Sequence, residues 1–225
     1  MGQWNLVHAD PLVWTVSRPL TTTASFSRHA SGAMLYGTVT FKQNDLDYWL
    51  FADDSKELAF TRSHNLAFTD YGASSTLRND FQHAVGGQFL YHMLDDRLSL
   101  GASYVRYALK NPQQQYRLTG IDFGWSGRRV EFSGEGIWRT ADSPQIPDEY
   151  GGYVQAVVPL PRHLYAVGRF ERYRNSLPNQ LVTIRTFGID YRPLSGISFK
   201  LEYRDGTHNA ALAPSGVLAS IGVLF

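Results

Sequence analysis

Ile197-Ser198-Phe199-Lys200-Leu201-Glu202-Tyr203-Arg204 sets an apolar or aromatic side chain at every odd position and a polar or charged one at every even position. Successive side chains of a β-strand point to opposite faces, so this stretch carries one apolar and one polar face. A helix would scatter both sets around its circumference. The same alternation recurs at Val85–Met93, Leu98–Tyr107, Arg117–Trp125, Val130–Arg139, Tyr153–Leu160, Leu164–Tyr173, Val182–Arg192 and Val217–Phe225. Most of these runs have the length, about nine to eleven residues, that a tilted strand needs to cross a bilayer. Strands of water-soluble sheets are more often about five or six residues long.

The connections between the runs differ in length by turns. Leu94–Arg97, Ser126–Arg129, Pro161-Arg162 and Pro193–Gly196 are short; Lys110–Tyr116, Thr140–Gly152, Asn175–Gln180 and Asp205–Gly216 are longer. In an outer-membrane barrel, short turns face the periplasm and longer loops face outward. With Phe225 in the periplasm, every short turn falls on that side. Upstream, Met34–Lys42 and Asp47–Ala52 form a hairpin through Gln43–Leu46, and Leu12–Arg18 reads as a first strand. The fold expected is therefore all-β, an antiparallel up-and-down transmembrane β-barrel of about 12 strands. About 14 is the alternative, should Leu58–Arg62 and Leu66–Tyr71 add a hairpin. The chain reads as one barrel domain over residues 1–225. Residues 1–30 contribute little to that assignment, and 53–82 form a long external or constriction loop.

Composition agrees. The net charge is +1, which steers the chain towards neither nucleic acid nor an acidic partner. With no cysteine, a disulfide framework and a thiolate metal site are both excluded. No apolar run is long enough, at about 18 residues, to make a transmembrane helix. The mean hydropathy of −0.27 is no obstacle, because lipid-facing and lumen-facing residues average out in a barrel. MGQWNLVHAD has no basic region followed by an apolar one, so the reading expects a removed signal, a fragment or an engineered chain.

The alternation also assigns faces. The pore-lining set is Lys42, Arg139, Arg169, Arg192, Lys200 and Arg204 against Asp122, Glu131, Glu135, Glu171, Asp190 and Glu202. Six cations against six anions give no net selectivity; the same charges could instead pair across a plugged interior. Trp125, Tyr191 and Phe225 fall near the short-turn ends of apolar rows, and Tyr104, Trp138, Phe170 and Tyr203 near the long-loop ends, as interfacial girdles require. Arg106, Arg117, Arg172 and Arg185 fall on the lipid-facing register near the long loops, where a charge costs little and guanidinium suits phosphate. They are expected to contact lipopolysaccharide. Val217, Ala219, Ile221, Val223 and Phe225 make a terminal apolar row ending on an aromatic, the form of an assembly signal read by barrel insertion machinery.

Enzymatic motifs are accidental. Asp122-Phe123-Gly124 lacks the companion motifs of a kinase, and the spacing in Gly124–Gly127 is wrong for a nucleophile elbow. The seven histidines show no metal-ligand spacing, so neither a metal nor another cofactor is expected. Ser63-His64 and Ser27-Arg28-His29 offer a Ser–His pair, but adjacent strand residues face opposite ways.

The segments YVQAVVPLPRHLYAVGRFERYR, TFGIDYRPLSGISFKLEYRDG and VLASIGVLF resemble the last strands of porin-like outer-membrane proteins, the phosphate-selective-porin type above all. That family's pattern is matched by Gly188, Tyr191-Arg192-Pro193 and Lys200 with Glu202-Tyr203-Arg204 before a terminal aromatic strand. The resemblance implies passive diffusion of small polar solutes or ions across the cell outer membrane. Such porins are larger and have more strands, so this chain is either a small barrel or the C-terminal part of a bigger one. Beyond lipid, lipopolysaccharide and the insertion machinery, the partners expected are a second copy of the chain, as a homo-oligomer, or a periplasmic partner protein. The alternatives kept are a structural or assembly barrel, plugged or partnered, and a soluble β-sandwich binding module.

Overall fold

A computed structural model describes residues 13–21, 32–53, 81–109, 114–175, 180–207 and 213–224. These carry β1 (Gly32–Phe41), β2 (Asn44–Asp53), β3 (Phe81–Met93), β4 (Leu98–Leu109), β5 (Gln114–Ser126), β6 (Glu131–Ala141), β7 (Glu149–Leu160), β8 (Leu164–Asn175), β9 (Gln180–Leu194), β10 (Ile197–Thr207) and β11 (Gly216–Val223). All 11 belong to one sheet in sequence order, and every neighbouring pair is antiparallel. Among the described residues β1 and β11 do not pair with each other. The strand count among them is thus 11 rather than 12 or 14. The hairpin considered at Leu58–Arg62 and Leu66–Tyr71, the Ser–His pairs and Phe225 lie outside the described residues.

The alternation is realised as an inverted distribution of polarity. On β10 the even residues Ser198, Lys200, Glu202 and Arg204 are buried, while Phe199, Leu201 and Tyr203 are exposed. Leu201 is 55% exposed, Phe170 52% and Ile121 65%, whereas Arg204 is 1% exposed. A water-soluble protein buries its apolar side chains and solvates its charges; from β3 to β10 this sheet instead exposes large apolar side chains on one face and buries many of its charges, together with an apolar cluster, on the other. It is curled around that buried face. One buried cluster joins Ala84 of β3, Val105 and Tyr107 of β4, Leu118 of β5, Ile137 of β6, Tyr173 of β8 and Ile184 of β9.

The tight turns sit at one end of the sheet, at 42–43, 94–97, 127–130, 161–163 and 195–196. Several depend on left-handed backbone at residues other than glycine: φ is 57°, 54° and 62° at Leu94, Asp95 and Asp96, and 63° and 61° at Arg162 and His163. Aspartate accepts this conformation more readily than leucine or arginine. Asp53, Phe81, Ala141, Glu149, Thr207 and Gly216, the strand ends that the longer connections join, lie at the opposite end. The ends Leu109, Gln114, Asn175 and Gln180 lie there too, and because β4, β5, β8 and β9 run further than the alternation indicated, only four residues separate each of these pairs.

Candidate functional site: the polar interior and its strap

The inner wall is built from the even residues of β3, β5, β9 and β10 and from the odd residues of β4, β6, β7 and β8, as their burial patterns show. Of the pore-lining set, Asp122, Glu135, Arg139, Arg169, Glu171, Asp190, Lys200, Glu202 and Arg204 are buried there, and Glu131 and Arg192 are half-buried on the same register. Lys42 is the exception. β1 ends at Phe41, and Lys42 enters the tight turn with φ 60° and is exposed. The rule of two carried it inward only as long as the strand lasted.

Charges along the wall lie beside opposite charges or hydrogen-bonding groups. Asp190 faces Lys200 across β9 and β10 and takes an ion pair of 2.8 Å from Arg192. Arg139 bonds Glu149, which also accepts from the Tyr173 hydroxyl. Asp122 faces Glu135 across β5 and β6 and receives Nε2–H of Gln88 at 3.4 Å. Its carboxylate lies over β4 at Gly101, where any side chain would collide with it.

Residues 13–21 correct the expectation of a first strand at Leu12–Arg18. They join no ladder; they run as a bent strap across the inner face of β8, β9 and β10. Glu202 accepts the backbone N–H of Val16 at 2.8 Å and that of Ser17 at 3.1 Å. Glu171 accepts the N–H of Leu20. Arg169 donates at 2.9 Å to Thr15 Oγ1, to the Ser17 carbonyl and to Ser17 Oγ. Arg192 donates to the Val13 carbonyl at 3.1 Å and lies 3.7 Å over the Trp14 ring, which itself packs on Tyr165 at 4.8 Å. Leu20 inserts into the apolar cluster near the long-loop end. A buried charge needs hydrogen-bonding partners, and here backbone amides of the strap supply them. The sequence marked both sides of this contact but not their meeting.

On the outer face, Arg106, Arg117, Arg172 and Arg185 are all exposed and all sit near the long-loop end of their strands. Arg106 and Arg117 are direct cross-strand partners. Arg117 pairs with Asp142 at 3.2 Å and Arg185 with Asp205 at 3.3 Å. Trp138 donates Nε1–H to Asp148 at 3.1 Å, and Arg174 donates to the Tyr150 hydroxyl at 3.2 Å. Near the short turns, Trp125 stacks on Phe132 and Tyr191 on Phe199, at 5.8 Å and 6.2 Å. Val217, Ala219, Ile221 and Val223 all lie exposed on the outward row of β11. No group of three metal-ligating side chains occurs among the described residues.

No family model matches the chain, and no curated protein matches it. Among solved structures, it is similar to an anion-selective porin from Comamonas acidovorans at a TM-score of 0.56 and 14% identity, over 84% of this chain and 53% of that one. A bacterial polysaccharide outer membrane secretin is a looser likeness: TM-score 0.47, 12% identity, 85% of this chain and 67% of that one. The chain spans about half the length of the porin it matches. What the porin likeness establishes is the fold, an antiparallel up-and-down sheet of the porin barrel type.

Proposed function

We propose that the chain is an outer-membrane channel for small polar solutes and ions, held closed in the described conformation by the strap of residues 13–21. The observation that carries this reading is the inverted polarity: an apolar exterior that suits lipid around an interior of paired charges. The strap is bound largely by hydrogen bonds that water can replace, so its contacts suit a removable closure. The outward arginines, exposed near the long-loop end, suit contact with lipopolysaccharide phosphate, since guanidinium makes paired bonds with phosphate. The exposed terminal row of β11 suits recognition by barrel insertion machinery.

The extent of interior burial also favours a second reading, a structural barrel that never conducts. Planar-bilayer recording separates the two. The chain of residues 1–225 is expected to show rare, brief openings, and a chain lacking residues 1–21 to conduct steadily. Silence from both would refute the channel and leave the structural barrel.

A further inference from the structure

The outer wall of β5–β8 is not smooth. Two apolar clefts of about 600 and 580 Å³ open on it, and they share Ile121, Gly136 and Gly152, so they form one continuous groove. Gly136 and Gly152 are direct cross-strand partners and make its floor. Ile121, Trp138 and Phe170 stand exposed around it. Arg172, the cross-strand partner of Gly152 on the other side, stands at the long-loop end. A side chain at either glycine would fill the groove. At Gly136 an added Cβ would meet the Ile121 side chain at 3.4 Å and the Gly151 carbonyl oxygen at 3.9 Å, both ordinary contacts, so backbone packing does not demand glycine there, whereas at Gly152 it would press on the Glu135 carbonyl oxygen at 3.0 Å.

Charge supplies the second observation. Arg106 and Arg117 face each other directly on the neighbouring outward register, an arrangement of like charges that is unfavourable unless anions lie beside them. Asp142 pairs with Arg117, while Arg106 donates to the neutral Gln115 at 2.7 Å. Arg172 adds a third guanidinium at the same level of the wall, so positive charge remains in excess there. An apolar groove below and a concentration of guanidinium groups above fit one kind of occupant.

We infer that this groove is a binding slot for a single acyl chain of an anionic, phosphate-bearing membrane lipid, with Arg172 taking the phosphate. The inference rests on the membrane placement given under Proposed function. The glycine floor lets the chain approach the sheet closely, and Trp138 lines the slot with its indole N–H turned to Asp148.

The test uses the refolded full chain in phosphatidylcholine vesicles containing a minor fraction of lipid brominated on its acyl chains, with either a phosphatidylglycerol or a phosphatidylcholine headgroup. Bromine quenches tryptophan on contact; the quenching that disappears in Trp138→Phe is the signal from the slot. Brominated phosphatidylglycerol is expected to quench Trp138 about fivefold more effectively, the effect of one basic side chain beside an anionic headgroup. Arg172→Gln should abolish that preference and Arg172→Lys keep part of it. Gly136→Leu should fill the slot and reduce the preference, while Gly168→Leu, outward on β8 with nothing within 4 Å of an added Cβ, should not. Equal quenching by the two headgroups, or a preference that survives Arg172→Gln in a variant that still shows heat-shifted gel migration, overturns the slot and leaves the membrane placement standing. Absence of Trp138 quenching by either lipid overturns the membrane placement and the slot with it.

Discussion

Replacing Glu202 by glutamine tests how firmly the strap is held to the inner face of the sheet. The two carboxylate oxygens of Glu202 accept the adjacent amides of Val16 and Ser17 at 2.8 and 3.1 Å, and the side chain is buried. Glutamine has nearly the same shape but only one oxygen. One amide keeps an acceptor, the other meets an N–H, and the charge is gone. A hydrogen bond to a charged group contributes about 1.5–3 kcal/mol. At about 1.4 kcal/mol per factor of ten, the undocked population rises about ten- to a hundredfold. The chain has no cysteine, so Leu20→Cys creates a unique thiol at a position buried in the docked strap. Its labelling by a membrane-impermeant reagent, divided by the rate of the same thiol in a free peptide, reads the undocked fraction when docking is fast relative to labelling. Labelling is expected to be slow with Glu202 in place, and about ten- to a hundredfold faster once Glu202→Gln is added. A thiol that reacts as a free peptide with Glu202 intact would show that the strap is not docked. Equal rates in the two backgrounds would show that Glu202 does not hold it.

Other perturbations address other parts of the molecule. Leu201→Arg puts a charge on the exposed apolar row of β10 and should cost about 2–4 kcal/mol of insertion if that row reaches mid-bilayer, seen as lost heat-shifted gel migration; undiminished refolding would contradict the outward face. Replacing Lys200 and Arg204 together by glutamine removes two interior cations and leaves the acids, so the reversal potential of strapless channels under a salt gradient should move towards cation preference; an unchanged potential would mean these residues do not line the ion path. Gly101→Ala should displace the Asp122 carboxylate and destabilise the refolded protein by about 1–3 kcal/mol, measured by the urea midpoint; a neutral result would mean the carboxylate moves at no cost.

The strands were legible because from β3 to β10 one face of the curled sheet is exposed and the other buried, which enforces the rule of two along each strand. The alternation at Ile197–Arg204 therefore carried over residue by residue, and so did the faces of Arg106, Arg117, Arg172 and Arg185. Periodicity fails where the strand ends, as at Lys42, since a turn obeys backbone dihedrals and not the pleat. The strap shows a subtler limit. Val13, Thr15 and Ser17 are more buried than Trp14, Val16 and Arg18, so the alternation at Leu12–Arg18 is real. What alternation does not encode is which group receives the amides. Here carboxylates take the place of a neighbouring strand. The groove was invisible for a related reason: Gly136 and Gly152 belong to different strands, and only the register brings them side by side.

The strap and the strands it binds are separated by most of the chain. Each strand pairs with its immediate successor, so the sheet can grow hairpin by hairpin with short loop closures. The strap's bonds to Arg169, Glu171, Arg192 and Glu202 instead bridge separations of 151 to 186 residues. A segment near the start of the chain therefore has nothing to dock on until β8, β9 and β10 are in place. Assembly would pass through an intermediate whose inner face lacks residues 13–21, and their docking would come last. The same bonds thus make docking of residues 13–21 conditional on the far end of the sheet, so that a chain stalled before β10 would leave them undocked, and their exposure would report incomplete assembly.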